Sequence, residues 1–215
     1  MYVPPLFVIE DHGLRLELLR RSGFGRLVTA VGRLEATPLP FVVDDQLTRL
    51  RCHLARANAH WRDIDGAEAL VMVSIADTYV SPRWYQTKAL SAEVVPTWNY
   101  VEIHLRGTVR VHHERTWLGA VVHDLTEHFE AAVTDGERWR MSDAPAAYLD
   151  TMLAGIVGIE VAITSIDAKA KLSQNRPETD RVAVNAALDR AGDPRDQAVG
   201  RLMTELTAPQ GEQQH

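Results

Sequence analysis

Residues 53–61, HLARANAHW, combine the residue types and spacing of a phosphate-binding site. A predicted strand ends in this segment, and Asn58 is a suitable N-cap for a short helix over residues 59–64. The first backbone N–H groups of such a helix can bind an anion, and the helix start carries partial positive charge. Arg56 lies just before this helix and could add a bidentate contact. The other interpretation is an ordinary capped helix beside a solvated arginine, because every helix has such a start.

Large aromatic residues concentrate between residues 58 and 100, and each lies in a loop or at the end of a predicted element. They could anchor the core, since tryptophan and tyrosine bury well in most positions. They could also form the wall of a pocket for a flat, π-rich ligand, because pockets are usually built on loops above a rigid scaffold. Their positions favour the pocket. The residues are Trp61, Tyr79, Trp84, Tyr85, Trp98 and Tyr100.

Motifs for other kinds of chemistry are missing from the sequence. Nine histidines suggest metal binding, but His112 and His113 would face opposite sides of a strand, and there is no HExxH motif. The glycines form no GxGxxG, GxxxxGK or GxSxG pattern. No Ser–His–Asp arrangement can be identified, so the catalytic residues stay unknown and no metal is expected.

Composition limits the class of protein. Of the 215 residues, 24% are charged and 46% hydrophobic, which is the usual mixture of a globular domain. The net charge of −6 makes direct DNA binding doubtful, and residues 178–206, a conceivable helix–turn–helix, have four arginines against six acidic residues. A single cysteine, Cys52, excludes a disulfide framework. There is no apolar run of membrane-spanning length and no signal peptide, so we expect a cytoplasmic protein without membrane contact.

The pattern of elements predicts an α+β protein with a central antiparallel barrel. Strands are separated by turn signals at regular spacing, as in a meander or small barrel. Residues 101–111 show the clearest alternation, and residues 70–75 are so apolar that we expect burial on both faces. The predicted strands are 26–31, 34–43, 49–54, 70–75, 101–111 and 155–166. The predicted helices are 10–21, 59–64, 114–133, 148–153 and a region from about 177 to 206, broken at 191–194.

Several unusual motifs resemble those of the PaiB family, flavin-binding proteins described as negative transcriptional regulators. The resemblance runs from residue 1 to the neighbourhood of Arg181. One departure is Ala59, where the family commonly has proline, and this loosens the turn before the short helix. The motifs are GRLVT (25–29), LEATPLPF (34–41), HLARAN (53–58), YVSPRWY (79–85), VPTWNY (95–100), HLRGTV (104–109), VGIE (157–160) and KLSQNRP (171–177).

The resemblance implies a fold and an assembly. The fold is a split β-barrel of the pyridoxamine-oxidase-like kind, an antiparallel Greek-key barrel with flanking helices. The assembly is a homodimer that binds FMN in clefts at the subunit interface. An FMN-binding domain would cover residues 1–176, a C-terminal helical extension residues 177–208, and a flexible tail residues 209–215. We expect the dimer to bury apolar barrel surface around Val101 to Val111.

The resemblance also implies four groups of cofactor-binding residues. The first would lie beside the isoalloxazine ring and the second around the phosphate at the helix start. The third would shape the surroundings of both the ring and the phosphate. The fourth would close the cleft from the partner subunit. In that order the groups are Thr29, Ala30, Thr37 and Pro38; His53, Ala55, Arg56, Asn58, His60 and Trp61; Trp84, Tyr85 and Lys88; and Trp98, Asn99, Tyr100, Gln174, Asn175 and Arg176.

Two functional classes stay open on this basis. The first is a flavin-binding regulator or a flavin-dependent oxidoreductase that acts on a small-molecule ligand. The second uses the same barrel with haem, as in the piperazate synthases, which resemble PaiB proteins and form an N–N bond; His60 would then be the axial ligand. Those enzymes lack the tryptophan of SPRWY, the asparagine of TWNY and the QNR sequence, which are all present here, so flavin is favoured. A yellow or a red preparation would distinguish the two cofactors.

Overall fold

A seven-stranded sheet is the centre of the fold in the computed structural model, which describes residues 1–133 and 136–207. The strands are β1 Phe24–Thr29, β2 Glu35–Pro40, β3 Val42–Val43, β4 Arg49–Ala55, β5 Glu68–Val80, β6 Thr97–His112 and β7 Ile156–Lys171. Their order in the sheet is β2-β1-β5-β6-β7-β4-β3. β1 pairs antiparallel with β2 and β5, and β4 pairs antiparallel with β3 and β7. The antiparallel sheet agrees with the turn signals between the predicted strands.

Helices flank this sheet. The α-helices of the described residues are α1 His12–Ser22, α2 Lys88–Ser91, α3 Arg115–Glu130, α4 Ala146–Ala154, α5 Glu178–Asp189 and α6 Pro194–Thr207. Short 3-10 turns lie at Pro5–Phe7, Ala59–Trp61, Pro82–Trp84 and Met141–Asp143. The long amphipathic helix predicted after residue 114 is confirmed as α3, and the predicted break near residues 191–194 separates α5 from α6.

The chain divides into two compact units. Unit 1 comprises residues 1–11, 74–103 and the described residues from 167 on, and its core includes side chains from α5 and α6. Unit 2 comprises residues 12–73 and 104–166, and its core includes side chains from α1, β1 and β4. Fully buried members are Leu172, Val184 and Leu188 in unit 1, and Leu18, Leu27 and Leu50 in unit 2.

The single strand predicted over residues 34–43 is wrong, because the chain leaves the ladder at Phe41. β2 pairs with β1, whereas β3 pairs with β4. The Phe41 N–H donates to Gly23 O at 2.8 Å, and the ring is 1% exposed. Pro40 has no N–H with which to continue a ladder. The two-strand arrangement therefore lets Phe41 fill the core of unit 2.

The prediction that residues 70–75 are buried on both faces is also wrong. These residues lie in β5, where Val71 and Val73 are buried and Leu70 and Met72 are half-buried. Alternate residues of a strand face opposite sides of the sheet, so only one face of this strand is fully covered.

The apolar side chains of β6 do not form the predicted exposed interface around Val101 to Val111. Ile103 and Leu105 are 0% exposed, and Val101 and Val109 are 1% and 2% exposed. The alternation is as predicted, but its apolar face is already covered within the chain. This face of β6 is therefore core and is not a surface for a second subunit.

None of the helices in the described part of the chain is long and apolar enough to cross a membrane. Residues 178–207 contain α5 and α6, where a helical extension was predicted. The domain limits at residues 176 and 208 stay a prediction, and the predicted tail over 209–215 lies outside the described residues.

Candidate functional site

His60 lies between two threonine hydroxyls in unit 2. Its Nε2 atom is 2.9 Å from Thr29 Oγ1, and its Nδ1 atom is 2.8 Å from Thr37 Oγ1. The Asn58 amide donates from Nδ2 to Thr37 Oγ1 at 3.3 Å. A continuous chain of hydrogen bonds, which we call the His60 network, thus joins Asn58, Thr37, His60 and Thr29.

A single 3-10 turn, Ala59–Trp61, positions His60, so the helix predicted over residues 59–64 is wrong. Asn58 is the N-cap of this turn, as predicted, and its Oδ1 accepts the His60 N–H at 3.0 Å. The sequence predicts that this N–H is free to bind an anion. It is instead used by the cap, so the phosphate site cannot use it without breaking this bond.

The His60 network is uncharged near neutral pH. Burial lowers the pKa of the His60 imidazole; the negative charge of Glu35 opposes this shift, and the positive charge of Arg33 adds to it. A neutral imidazole has one N–H, so one threonine contact has histidine as the donor and the other has it as the acceptor. Both ring nitrogens of His60 are therefore engaged.

A cavity of about 440 Å³ lies beside this network in unit 2, within the range of small-molecule sites. Thr29 and His60 supply polar groups to its wall, and Arg33 and Arg62 also line it. Arg33 donates twice to Glu35 Oε2, at 3.0 and 2.9 Å. Arg62 has no carboxylate within 4.0 Å among the described residues. Arg62 is therefore the arginine of this cavity that is available to an anionic ligand group, and it was not identified from the sequence.

Arg56 is held by backbone carbonyls. Its Nε donates to Ala154 O and its Nη2 to Ile156 O, both at 2.8 Å. These bonds tie the end of β4 to the connection between α4 and β7. They use two of the five N–H groups of the guanidinium, so the phosphate contact of Arg56 stays a prediction.

The other predicted residues of unit 2 have different surroundings. His53 is half-buried on β4, and its Nδ1 is buried without a hydrogen-bond partner among the described residues. Burial lowers the pKa of His53. The Trp61 indole N–H donates to Arg56 O at 3.0 Å. The exposed members of the set are Ala30, Pro38 and Ala55.

Unit 1 holds a second group of predicted residues, centred on Tyr85 and Arg176. Tyr85 is 3% exposed, and its hydroxyl is buried without a hydrogen-bond partner among the described residues. The Arg176 guanidinium carbon lies 4.6 Å from the Tyr85 ring centroid. Burial raises the pKa of Tyr85, and the positive charge of Arg176 opposes that shift. Trp84 is half-buried on the same loop, and Lys88 is exposed at the start of α2.

Asp180, in the first turn of α5, anchors this loop and was not identified from the sequence. The residue is 0% exposed, and its carboxylate accepts the Thr87 N–H at 2.9 Å and the Thr87 Oγ1 at 2.7 Å. Burial alone would raise the pKa of Asp180, but the hydrogen bonds from Thr87 outweigh it and the pKa is lowered. An ionised Asp180 therefore fixes the loop to α5.

Two predicted cofactor residues use their amides within unit 1. Asn99 is 0% exposed, its Oδ1 accepts from Ser173 Oγ at 3.0 Å, and its Nδ2 lies 3.5 Å from Met203 Sδ. Gln174 bonds two neighbouring backbone groups, both at 2.6 Å. Each amide makes two such contacts inside unit 1, so these side chains stabilise the unit, and their contacts with a cofactor stay a prediction. Asn175 is exposed.

Trp98 and Tyr100 lie on the opposite face of β6 from Asn99, because alternate residues of a strand face opposite sides. Trp98 is 52% exposed, and the Tyr100 ring centroid is 5.1 Å from Lys169 Nζ. Lys169 and Lys171 were not identified from the sequence. A signal was available, since two of the three lysines of the chain lie in the short segment KAK at 169–171.

The antiparallel sheet with flanking helices, and a polar cavity beside β1 and the turn after β4, define a ligand-binding split-barrel protein. Residues 1–165 match the family described as "Putative FMN-binding domain". The chain belongs to this FMN-binding-domain family. A relative, "Protease synthase and sporulation protein PAI 2" of Bacillus subtilis, is 31% identical over 207 residues, which cover 94% of this chain and 96% of that protein. The resemblance to the PaiB family is thereby confirmed.

Solved structures share the fold at low sequence identity. The flavocytochrome Anf3 from Azotobacter vinelandii is 14% identical with a TM-score of 0.58, covering 81% of this chain and 74% of that chain. An FAD and haem binding protein from Mycobacterium smegmatis is 17% identical with a TM-score of 0.53, covering 81% and 78%. At these identities the likeness concerns the fold alone. The predicted α+β split-barrel class is confirmed.

Proposed function

We propose that this protein binds FMN and acts as a flavin-dependent oxidoreductase on small molecules. The observation that carries the proposal is the cavity of about 440 Å³ beside Thr29 and His60, in a chain of the FMN-binding-domain family. When bound, FMN supplies a ring that accepts and donates hydride or electrons. The residues of the chain bind and orient that ring.

The residues of the cavity fit the two ends of FMN. The Thr29 hydroxyl, which His60 holds in place, is uncharged and has further hydrogen-bonding capacity, which suits the polar edge of a flavin ring. Arg62 offers a forked positive charge, which suits a phosphate. The wall held by the His60 network is rigid, because each of its members is bonded to the next, and a rigid wall favours one orientation of the ring.

The haem alternative requires His60 as the axial ligand. Both ring nitrogens lie within 2.9 Å of threonine hydroxyls, and the residue is 3% exposed. Ligation would break one of these bonds and move a buried ring, which supports FMN over haem.

An absorbance spectrum of the protein after titration with each cofactor tests this choice. We expect bound flavin bands and quenched flavin fluorescence; a sharp Soret band from micromolar haem, with no flavin binding, would contradict the proposal.

Arg62→Ala is expected to weaken FMN binding by roughly ten- to a hundredfold, because a charge-assisted hydrogen bond contributes about 1.5–3 kcal/mol. Riboflavin has no phosphate, so its affinity should not change.

Arg56→Ala should also weaken FMN binding, and it should lower the melting temperature because two hydrogen bonds to backbone carbonyl groups are lost. Fluorescence titration measures both ligands, with the exposed Arg190→Ala as the control. Equal losses of FMN and riboflavin affinity for Arg62→Ala, at unchanged stability, would contradict the phosphate assignment.

A regulatory role would act through the state of the flavin or through a partner protein. The α5–α6 pair is acidic, and two of its arginines are already paired, Arg181 with Glu178 and Arg195 with Asp193. DNA binding needs a cluster of unpaired positive charge. We therefore expect no sequence-specific complex at nanomolar concentration in a gel-shift assay at physiological salt. A complex that survives competitor DNA would overturn this expectation.

The assembly we propose is a homodimer with the cofactor at its interface. Each unit exposes large apolar side chains that a partner would cover: Leu34 is 78% exposed in unit 2, and Leu90 is 85% exposed in unit 1. Light scattering at micromolar concentration should give about twice the chain mass of 24.0 kDa. The mass of a monomer at that concentration would rule the dimer out.

A further inference from the structure

A second cavity, of about 470 Å³, lies in unit 2 and is lined by residues of α1, α3, β3 and β4. Its size is also within the range of small-molecule sites. His128 of α3 donates from Nε2 to Arg20 O of α1 at 2.8 Å, so the two helices of the wall are held together. The described wall residues differ from those of the cavity beside the His60 network, and none belongs to the four groups that the resemblance assigns to the cofactor. This cavity therefore has no part in the proposed flavin binding.

One part of the cavity wall is apolar. Phe41 lies at the break between β2 and β3, and Val42 and Val43 follow it. Leu19 of α1 adds a further apolar side chain. Leu19 and Phe41 are fully buried, so core packing fixes their positions. An apolar wall of fixed shape favours a ligand with an apolar group.

The charged part of the wall contains two arginines and two acidic residues. They are Arg20, Arg51, Asp124 and Glu127. Arg20 forms an ion pair with Asp45, and Arg51 Nη2 donates to Asp124 Oδ2 at 2.8 Å. The formal charges of the four wall residues cancel. They therefore match a ligand that is neutral overall but carries both a positive and a negative group.

Two wall residues of opposite charge keep binding capacity. The Glu127 carboxylate has no hydrogen bond or ion pair within the part of the chain that the structure describes. Arg51 uses one of its five N–H groups for Asp124. Glu160 faces Arg51 across the β4–β7 pair but forms no ion pair with it, so it does not use the other N–H groups. Because Asp124 and Glu127 are three residues apart on α3, their Cβ atoms are about 5–6 Å apart, and Glu127 lies close to the Arg51–Asp124 pair.

We propose that this cavity binds an α-amino acid with an apolar side chain, a ligand that is separate from the flavin. Such an amino acid has its ammonium and its carboxylate on one carbon atom, which suits two neighbouring wall groups of opposite charge. The ligand carboxylate accepts two parallel bonds from the Arg51 guanidinium, and the ligand ammonium donates to Glu127. The ligand side chain packs on Phe41 and Val42.

Calorimetric titration of the FMN-loaded full-length protein with L-phenylalanine tests the proposal. Two analogues each lack one charged group: 2-phenylethylamine has no carboxylate, and 3-phenylpropionate has no ammonium. Each is expected to bind at least about tenfold more weakly than L-phenylalanine, the loss expected for one charge-assisted bond. L-Alanine should also bind more weakly, because it lacks the apolar group.

Two variants should affect the analogues in opposite ways. Glu127→Gln should weaken L-phenylalanine and 2-phenylethylamine at least about tenfold and leave 3-phenylpropionate unchanged. Arg51→Gln should weaken L-phenylalanine and 3-phenylpropionate and leave 2-phenylethylamine unchanged. A folding defect would weaken all three ligands together. Glu68→Gln, which changes an exposed acid of unit 2 outside this cavity, is the matched control and should change nothing.

Three results would overturn the proposal. The first is the absence of L-phenylalanine binding to the wild-type protein at millimolar concentration. The second is binding of 2-phenylethylamine or 3-phenylpropionate as tight as that of L-phenylalanine. The third is release of FMN by L-phenylalanine, followed by flavin fluorescence in the same titration, because it would place the amino acid in the flavin site. The first two results would leave the proposed flavin binding unchanged.

Discussion

Replacing Gly107 by alanine should destabilise the protein by about 3 kcal/mol or more, at the upper end for overpacking in a core. A Cβ atom at this position would lie 2.1 Å from the carbonyl oxygen of Ala162 and 2.8 Å from its carbonyl carbon. The obstacle is backbone of β7, so it cannot rotate away as a side chain could. A fall of roughly 6–12 °C in melting temperature corresponds to this loss in a chain of this size.

Gly119→Ala is the matched control. It makes the same chemical change in unit 2, but the expected change in the free energy of unfolding has the opposite sign. Gly119 lies inside α3, and the nearest atom to an added Cβ is Leu153 Cδ1 at 4.0 Å. Alanine is the better helix former by roughly 0.5–1 kcal/mol, so this variant should be slightly more stable than the wild type. Urea unfolding of both variants measures the difference. A Gly107→Ala protein as stable as Gly119→Ala would show that β6 and β7 are not as close as described.

Gly107 lies in the HLRGTV motif, and Gly158 in the VGIE motif has a similar physical role. A Cβ on Gly158 would lie 2.1 Å from Cζ3 of Trp117, whose ring is stacked on His112 with centroids 4.0 Å apart. In both motifs, glycine allows another part of unit 2 to approach the strand. Two of the motifs that carry the family resemblance are therefore explained by packing and need no ligand contact.

Much of the fold could be predicted from the sequence because it depends on local pattern. The alternation over residues 101–111 identified β6, and the apolar stripe after residue 114 identified α3, since periods of two and of 3.6 residues are visible within one segment. The break at Phe41 was missed because its cause is distant in sequence: the Gly23 carbonyl accepts its N–H. The fold class followed from the local patterns together with the resemblance.

The candidate site could be predicted only in part. The sequence identified each residue of the His60 network: Thr29, Thr37, Asn58 and His60. The hydrogen bonds between them depend on three separate segments meeting in space, which the sequence does not show. Asn99 was named by its motif, and nothing in the sequence shows that its amide is fully buried. Arg62, Lys169 and Lys171 were missed because a single arginine, or two lysines on a strand, are common on solvated surfaces.

Asp180→Asn is expected to lower the free energy of unfolding by about 2–3 kcal/mol at neutral pH, the contribution of hydrogen bonds to a buried charged group. The carboxylate accepts two hydrogen bonds from Thr87. An asparagine has one acceptor oxygen, and its NH₂ group would face one of the two Thr87 donors. The variant therefore leaves a donor without a partner at the contact between α5 and the loop that carries Tyr85.

The pH dependence of this loss has a definite sign. The pKa of Asp180 in the folded protein is below its ordinary value of 3.8. A carboxyl group with a lowered folded pKa contributes stability above its unfolded pKa, and loses this contribution as the pH falls through the folded pKa. Wild type and Asp180→Asn should therefore differ fully at pH 7, and the difference should shrink as the pH falls below 3.8 and through the folded pKa. Urea unfolding at a series of pH values measures the difference.

A double-mutant cycle with Thr87→Val tests whether Thr87 is the partner that matters. If the two Thr87 bonds carry the effect, the losses of the single variants should not add, because each removes the same hydroxyl contact. Asp193→Asn serves as the control, since Asp193 pairs with Arg195 on the surface and its loss should have little effect. A difference between wild type and Asp180→Asn that grows as the pH falls would mean that Asp180 is protonated in the folded protein. The loop with Trp84 and Tyr85 would then be held to α5 by packing and not by charge.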